Sequence, residues 1–504
     1  MRASALLSLI LALVPRLATL TYAAPHLIAS HSVAGVISVR RPAVRPPKPA
    51  PKPIDEKAAR TLFERPNLLV KTADDDAWRI APPSGNLFDA EISDARLSQQ
   101  QPTAGTNQWT VEAPITFEYK VREVPGVLDP ASDALLFGFI DDAATLERAK
   151  ARALKRVVVV DETVFSLYGD AIEAYFEHHG VTTKLLVLPT TEENKNMELV
   201  LKIAEAIHDL GIDRRLDPVI AIGGGVCMDI VGFAASIYRR RTPYVRVPTT
   251  LMGYVDASVG AKTGVNFEAE PGVWKKNKLG AYLPPAITLL DRSFLATLDE
   301  RQLANGAAEI VKMAIVKDPE LLDLLAAHGP ELIEHKFQKN PYASADAWEA
   351  DDAASRVLYL AIETMLEELA PNLWEDSLER LVDFGHVFSM ELEMALVHQG
   401  DEKLFHGEAV AIDMAFSSVL AHVRGHLEAE TLDLILQTMR GLSLPVYHER
   451  FDSPLTAEAI YERVKFSQGQ KIPLPAAHGA ARLYNDVTQE EMDAALALWK
   501  EMCA

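Results

Sequence analysis

The chain has 504 residues, of which 48% are hydrophobic, so it is long enough for two or three domains with sizeable cores. Its formal net charge of −21 at pH 7 argues against general nucleic-acid binding, because a negative protein repels a phosphate backbone. Two cysteines, Cys227 and Cys503, are too few for a disulfide framework. Beyond the N-terminus no apolar run is long enough to span a membrane, so we expect no membrane contact of the mature protein.

The N-terminal segment, residues 1–54, differs from the rest of the chain because it contains no Asp or Glu. An apolar run from Ala5 to Val14 follows Arg2, and small residues come later at Ala23-Ala24, which is typical of a signal peptide. The basic, Pro-containing stretch after it has too few apolar residues to form a core. Together the two parts resemble the bipartite presequence of plastids surrounded by extra membranes, and simple secretion is the alternative.

Two domains are predicted after this segment, preceded by a linker or extension over residues 55–110. Apolar runs that alternate with helical periodicity predict a nucleotide-binding α/β domain with a parallel sheet over residues 111–300. From 301 to 504 helical periodicity dominates, which predicts a mostly α-helical C-terminal domain. The cleft between the two domains is the expected place for a small-molecule site. The strand and helix segments behind this prediction are 110–124, 156–161, 184–188, 219–222, 301–326, 353–369, 405–424 and 430–441.

A glycine turn stands at the centre of the α/β part. The apolar run Val219 to Ile222 ends in Gly223-Gly224-Gly225, and the periodic segment Met228 to Ile237 follows. A strand, a glycine turn and a helix let backbone N–H groups meet a phosphate at the helix N-terminus. The spacing differs from G-x-G-x-x-G, so this turn alone does not identify a dinucleotide. The cluster Arg239 to Arg241 could supply a local basic pocket for a phosphate.

The C-terminal half contains a candidate metal-ligand set. Glu309 and Lys312 are three residues apart in a helical segment and so share one face. His386 lies in DFGHVFS and His406 in FHGEAV. Two neutral imidazoles and one carboxylate, with open positions for substrate oxygens, suit catalytic zinc. Spacing alone leaves the ordinary alternative open, since a lone histidine is more often a surface or core residue.

A series of motifs along the chain resembles the 3-dehydroquinate synthase superfamily of sugar phosphate cyclases. Their order matches that family over roughly residues 110–490: GGGVCMD, YRRR, VPTTL, VDASVGAKTGVN, KKNKLGAY, LLDRSFLATL, NGAAEIVK, VDFGHVFS and FHGEAV. Within the superfamily the chain looks most like the sedoheptulose 7-phosphate cyclases, and among these the 2-epi-5-epi-valiolone synthases. The resemblance implies a dehydroquinate synthase-like fold, NAD, and zinc with cobalt as the alternative metal.

The resemblance also implies roles for individual residues. The metal ligands would be Glu309, His386 and His406. The NAD-binding residues would be Asp161, Glu192, Lys195, Gly224, Gly225, Asp229, Thr249, Thr250, Phe294 and Thr297. The active-site residues would be Asp256, Lys262, Lys276, Asn277, Lys312 and Arg240. Of the last group, Lys262 and Asn277 would hold the substrate phosphate, and Arg240 would reach the neighbouring subunit's phosphate site in a homodimer.

Departures from the family pattern point to the substrate. Glu379 stands where dehydroquinate synthases have an arginine that holds the substrate carboxylate, and Met365 stands in place of a lysine. Asp383 replaces an asparagine, and Met390 replaces a second histidine. Two lost charge-assisted hydrogen bonds would cost about 1.5–3 kcal/mol each for a carboxylate. We therefore expect a phosphorylated polyol without a carboxylate, as in sedoheptulose 7-phosphate.

The resemblance thus implies conversion of sedoheptulose 7-phosphate to a C7 cyclitol of the 2-epi-5-epi-valiolone type, with loss of phosphate and catalytic use of NAD. The alternatives are 3-dehydroquinate synthase and desmethyl-4-deoxygadusol synthase. The run KFSQGQKIPLP lacks a histidine of the valiolone-type pattern, so the product stays open. A metal-dependent polyol dehydrogenase of related fold is a further alternative, distinguished by net NADH formation.

Overall fold

The computed structural model describes residues 117–338, 352–396, 403–451 and 471–504, together with four short strands before residue 117. The predicted presequence lies outside the described residues. The four strands form two antiparallel pairs, so the predicted linker contains regular structure: β1 (Leu69–Lys71) with β2 (Trp78–Ile80), and β3 (Arg96–Gln100) with β4 (Gln108–Glu112). The chain divides into a unit Met1–Pro83 and a unit Ser84–Ala504. All features described below belong to the second unit.

A six-stranded parallel sheet forms the first part of this unit and confirms the predicted α/β class. Its spatial order is β5-β12-β9-β8-β6-β7, and every neighbouring pair is parallel. The strands are β5 (Lys120–Glu123), β6 (Lys155–Asp161), β7 (Thr182–Leu188), β8 (Val219–Gly223), β9 (Tyr244–Pro248) and β12 (Ile287–Leu290). The central strands β8 and β9 are buried along their whole length, which is why their sequences are almost continuously apolar.

Helices cover both faces of the sheet, as the two apolar clusters on either side of it show. They are α1 (Ala134–Phe137), α2 (Ala143–Lys150), α3 (Glu162–His178), α4 (Met197–Leu210) and α5 (Gly225–Ile237). Helix α5 begins at Gly225, earlier than the predicted Met228, because Gly224 already occupies the N-cap with an extended backbone. The third glycine of the turn is therefore the first residue of the helix.

A long antiparallel hairpin leaves the sheet and reaches the helical part. It consists of β10 (Lys262–Glu270) and β11 (Val273–Tyr282), in which Lys262 lies opposite Tyr282. The segment Glu268 to Trp274, which interrupts the family pattern in the sequence, forms the tip of this hairpin. Gly272 turns the chain there with a φ of +80°, a value that glycine adopts without steric cost.

The C-terminal part is mostly helical, as predicted. Its helices are α6 (Glu300–Val316), α7 (Pro319–Glu334), α8 (Ala353–Leu369), α9 (Ser389–Leu396), α10 (His406–Val423), α11 (Ala429–Gly441) and α12 (Gln489–Cys503). The single helix predicted over 301–326 is two helices, because Asp318 caps α7 and Pro319 opens it. A small hairpin of β13 (Ile472–Ala477) and β14 (Ala480–Tyr484) was not predicted.

One large apolar core binds these helices together, with α6 and α10 at its centre. Both helices are buried around most of their circumference, so charged residues on them need partners inside the protein. In the described part of the chain no helix combines the length and apolar character that a membrane crossing requires.

Candidate active site

A cavity of about 650 Å³ opens where the carboxyl ends of the parallel strands face the helical part. Asp161, Gly224 and Thr249 line it from the ends of β6, β8 and β9. His386 and His406 line it from the helical side. The predicted nucleotide residues and the predicted metal ligands therefore share one cavity, at the edge of the sheet where α/β proteins bind ligands.

Three predicted metal ligands meet at this cavity. Glu309 projects from the middle of α6, His386 lies in the turn before α9, and His406 is the first residue of α10. The Nε2 atoms of the two histidines are 3.3 Å apart, and they lie 3.5 and 3.6 Å from Oε1 of Glu309. In a tetrahedral zinc site with bonds of about 2.0–2.1 Å, neighbouring ligand atoms lie about 3.4 Å apart. The three atoms thus have the mutual spacing of three ligands of one ion.

The orientation of both imidazoles suits a metal as well. Nδ1 of His386 is 3.1 Å from the carbonyl oxygen of Phe384, and Nδ1 of His406 is 2.9 Å from Oε2 of Glu393. The carbonyl oxygen of Phe384 and the carboxylate of Glu393 are acceptors, so they favour a proton on each Nδ1 and a lone pair on each Nε2 toward the shared centre, although Lys276 Nζ also lies 3.1 Å from Nδ1 of His406. Oε1 of Glu309 is buried and has no hydrogen-bond partner among the described residues. The donor set therefore fits a divalent metal.

The charges around these ligands favour the metal-binding protonation states. Burial, and next the charge of Lys312, lower the pKa of His386 to about 3. Burial alone raises the pKa of Glu309, but Lys312 and the two histidines outweigh it and lower that pKa to about 2. At neutral pH the group is thus a carboxylate with neutral His386, which are the forms that bind a metal.

Glu393 is a site residue that the sequence did not reveal. Its carboxylate accepts from Lys276 Nζ at 2.5 and 2.6 Å as well as from His406, and its side chain is only 2% exposed. Burial raises the pKa of Glu393, but Lys276 and His406 reverse this effect and lower it. On the same helix Glu391 is exposed, so only the helical phase distinguishes the two residues.

The glycine that follows His406 allows α10 to begin close to α6. A Cβ on Gly407 would overlap the carbonyl oxygen of Asn305. The backbone N–H of Gly407 donates to Oδ1 of Asn305 at 2.6 Å. His406 is therefore placed against the helix that carries Glu309 by a contact that only glycine permits.

Nine of the ten predicted NAD residues line the cavity: Asp161, Glu192, Lys195, Gly224, Gly225, Asp229, Thr249, Thr250 and Thr297. Phe294 does not line it; its buried ring packs edge-on against Tyr168, which does, at 5.0 Å. Lys195 joins the strand ends to the hairpin, because its Nζ lies 2.6 Å from Asp229 and 2.7 Å from Asn277. The neighbouring Asp229 and Glu192 outweigh its burial and raise its pKa.

The remaining predicted active-site residues occupy different ends of the cavity. Asp256, Lys262, Lys276, Asn277 and Lys312 all line it. Lys262 and Asn277 do not meet: Asn277 N–H bonds Asn266, four residues along β10 from Lys262, a span of about 13 Å. Arg240 is exposed, lies outside the cavity lining and has a φ of +68°. Lys262 and Asn277 thus start from well-separated points of the hairpin backbone but line the same cavity, and their joint hold on one phosphate stays a prediction.

The structure also corrects the placement of the substituted positions. Arg380, next to Glu379, has an extended backbone, and it binds Asp383 through two nitrogens, the closest pair being 2.6 Å apart. Glu379 bonds Lys471 at 2.9 Å and does not line the cavity, and Met365 is buried in the helical core. The acids that face the cavity near Arg380 are Glu375 and Asp383.

Comparisons with known proteins identify the family of the chain. The family models for the N-terminal and C-terminal parts of 3-dehydroquinate synthase match residues 185–305 and 306–466. The 2-epi-5-epi-valiolone synthase of Streptomyces hygroscopicus subsp. jinggangensis (strain 5008) is 49% identical over 389 residues, which are 77% of this chain and 88% of that protein. The demethyl-4-deoxygadusol synthase of Trichormus variabilis is 36% identical over 395 residues, covering 78% of this chain and 90% of that protein.

A solved structure extends the similarity to the fold. The 2-epi-5-epi-valiolone synthase from Streptomyces hygroscopicus subsp. jinggangensis 5008, with NAD+ and Zn2+ bound, matches with a TM-score of 0.67 at 46% identity. The match covers 78% of this chain and 100% of that one. The chain belongs to the 3-dehydroquinate synthase-like family of sugar phosphate cyclases.

Proposed function

We propose that this protein is a 2-epi-5-epi-valiolone synthase that converts sedoheptulose 7-phosphate to a C7 cyclitol and inorganic phosphate. The reaction would make it a carbon–oxygen lyase acting on phosphates. The observation that carries the proposal is the triangle of Glu309, His386 and His406, 3.3–3.6 Å on a side, whose two histidines line the cavity that also contains the glycine turn. Relatives of that name at 49% identity support the choice within the family.

Zinc, with cobalt as the alternative, would be held by the three ligands and would supply Lewis-acid polarisation of a substrate hydroxyl. NAD would be held between Asp161 and the N-terminus of α5 and would supply transient oxidation, so that no net redox change occurs. The glycine turn supports this placement, because Gly224 and Gly225 line the cavity where α5 begins. Backbone N–H groups at the start of this helix can therefore meet a pyrophosphate.

The chain's own residues would place the substrate and move its protons. Lys312 and Lys276 flank the metal ligands from opposite sides, through Glu309 and Glu393 respectively. Burial, and next the charge of Glu309, raise the pKa of Asp256, which favours a carboxyl that carries a proton at the cavity wall. We assign Asp256 the role of holding a proton next to the reacting carbons, while the charge of Lys312 limits the rise of its pKa.

The phosphate of the substrate is assigned to the Lys276–Asn277 segment of β11. Asn277 has a left-handed backbone, with a φ of +51°, and lines the cavity beside Lys195. A strained residue at a cavity wall is a common feature of ligand-binding sites. Lys262 then lies toward the other end of the substrate.

Three alternatives predict different products. A demethyl-4-deoxygadusol synthase would eliminate a further water and yield an ultraviolet-absorbing enolone, and a 3-dehydroquinate synthase would need a carboxylated substrate. A polyol dehydrogenase would accumulate NADH in proportion to product.

Purified protein is incubated with NAD, zinc and sedoheptulose 7-phosphate while absorbance, phosphate release and product NMR are recorded. Stoichiometric NADH, or phosphate release only from the carboxylated sugar, would rule the proposal out.

We also propose a homodimer in which Arg240 completes the neighbouring subunit's phosphate site. Arg240 is exposed, and none of the described residues of its own chain pairs with it. Mixing an inactive Arg240→Ala variant with an inactive His386→Ala variant should restore activity, because one of the two sites in a mixed dimer is then intact. Two variants that stay inactive after mixing, in a dimer shown to exchange subunits, would contradict the shared site.

Import into a plastid through residues 1–54 is proposed from their composition alone, with secretion as the alternative. The absence of Asp and Glu from this segment supports a targeting role. A reporter fused behind residues 1–54 should accumulate in the plastid, and a reporter found in the medium would favour secretion.

A further inference from the structure

At one wall of the cavity, two acids and one lysine face the substrate space. Glu375 and Asp383 line the cavity there, and Arg380 lies behind them, paired with both. Lys262 also pairs with Glu375. Glu375 is 14% exposed and Arg380 17%, whereas Lys262 is 54% exposed, so the pair of Glu375 with Arg380 is the more enclosed. One carboxylate thus neutralises two cations at the same wall.

The segment that carries Glu375 is built to hold this carboxylate in place. The side chain of Asn372 closes a turn by bonding Ser377 N–H at 3.1 Å and its carbonyl oxygen at 2.7 Å. Glu375 itself has a left-handed backbone, with a φ of +56°. Tyr282 donates its hydroxyl hydrogen to Oε2 of Glu375 at 2.9 Å, from the end of β11. A non-glycine residue in this strained conformation is retained where its side chain has a defined task.

We propose that Glu375 is a specificity-determining residue that excludes substrates with a carboxylate at C1, because its own carboxylate faces the cavity and neutralises Arg380 and Lys262. A substrate carboxylate would be repelled by Glu375 and Asp383, and among the described residues it would find no cation free of an acid at this wall. A hydroxymethyl group at C1 carries no charge and can donate a hydrogen bond to either acid. This assignment rests on the proposed function, because it concerns the substrate of the same site.

The test uses calorimetry on the zinc-loaded protein without NAD, so that no ligand is turned over. It compares sedoheptulose 7-phosphate with the same sugar phosphate whose C1 is oxidised to a carboxylate. Glu375→Gln keeps the side-chain shape and removes the charge. The variant should bind the carboxylated ligand at least about tenfold more tightly than the parent does, because it gains the equivalent of one charge-assisted hydrogen bond. Its affinity for sedoheptulose 7-phosphate should change by less than about threefold, the scale of one neutral hydrogen bond.

Glu379→Gln is the matched control, because Glu379 lies four residues away, pairs with Lys471 and does not line the cavity. It should leave the affinity ratio of the two ligands unchanged. A ratio that moves with Glu379→Gln and not with Glu375→Gln would overturn the proposal. If Glu375→Gln does not fold, Asp383→Asn should shift the ratio in the same direction, since it releases Arg380 from its other acid.

Binding of inorganic phosphate is measured as a further control. If Glu375 competes with a phosphate for Lys262, then Glu375→Gln should tighten inorganic phosphate and both sugar phosphates equally, and the proposal is wrong. An unchanged ratio also overturns it. The proposed function is tested separately. It is wrong if the parent protein does not cyclise sedoheptulose 7-phosphate, whatever the ratio of the two ligand affinities.

Discussion

Glu393 offers a sharp test of the metal centre, because its carboxylate serves two buried partners. It accepts from Lys276 Nζ at 2.5 and 2.6 Å and from His406 Nδ1 at 2.9 Å. In Glu393→Gln the amide keeps the shape but loses the negative charge, and only its oxygen can accept. With this oxygen toward His406, its NH2 group faces the Lys276 cation, and the hydrogen bond of His406 goes to a neutral and therefore weaker acceptor. Loss of such a partner of a metal-bound histidine lowers metal affinity about 10–100-fold.

The same change has a second cost that must be separated from the first. Lys276 is 8% exposed, so it becomes an unpaired buried cation, and breaking a buried pair on one side costs about 3–5 kcal/mol of folding stability. The double variant Lys276→Met, Glu393→Gln no longer contains this unpaired buried cation. We therefore expect folding stability to recover in the double variant while zinc affinity stays low.

Zinc affinity is measured by competition with a chromophoric chelator, and stability of the metal-free protein by urea unfolding. Glu391→Gln, two residues earlier on the exposed side of the same helix, should change neither quantity. A Glu393→Gln variant with the zinc affinity of the parent would refute the role assigned to Glu393. Zinc affinity that recovers together with stability in the double variant would mean that the residue acts only through folding.

Three further outcomes follow from the geometry. Gly407→Ala should lower folding stability by about 1–3 kcal/mol by forcing α10 away from α6, whereas Gly441→Ala, with no contact closer than 3.6 Å, should not, as urea unfolding will show. In the folded metal-free protein the pKa of His386 is about 3, below its unfolded value of about 6.5, so the unfolded state takes up the proton first as the pH falls. Folding stability should therefore fall below about pH 6.5, by about 2 kcal/mol at pH 4.5. His386→Gln should remove this contribution to the pH dependence of stability. Asp217→Asn, which leaves two arginines without their buried acid, should cost about 3 kcal/mol without changing zinc affinity.

Local sequence was sufficient wherever one segment determines its own structure. The strands Lys155–Asp161 and Val219–Gly223 are apolar along their length because both of their faces are covered, and the sequence predicted both. The break between α6 and α7 was missed because Asp318 and Pro319 act as a cap and a first helical residue within a continuous apolar period. Hydrophobic periodicity shows which face of a helix is buried, but it does not show where one helix ends and the next begins.

The parts of the site that the sequence missed are those made by distant segments. Glu375 contacts Lys262 and Tyr282, which belong to a hairpin about a hundred residues earlier in the chain. Glu379 matched a functional position of the family by spacing, yet its side chain turns to Lys471. The acid that lines the cavity wall is Glu375, four residues before Glu379. Spacing therefore located the right segment, and only packing identified the residue.

The charges of the cavity connect these findings to the proposed dimer. Five lysines of the described part of the chain line it, and each is already paired with a carboxylate: Lys195 with Asp229, Lys262 with Glu375, Lys276 with Glu393, Lys312 with Glu309 and Lys403 with Glu193. A substrate phosphate must therefore share a paired lysine or bind to a cation from elsewhere. Among the described residues, Arg240 is an exposed arginine with no acid beside it, although it lies outside this cavity. A second subunit that directs its Arg240 to the Lys276–Asn277 segment would supply the missing positive charge, because the pairs within one subunit cancel.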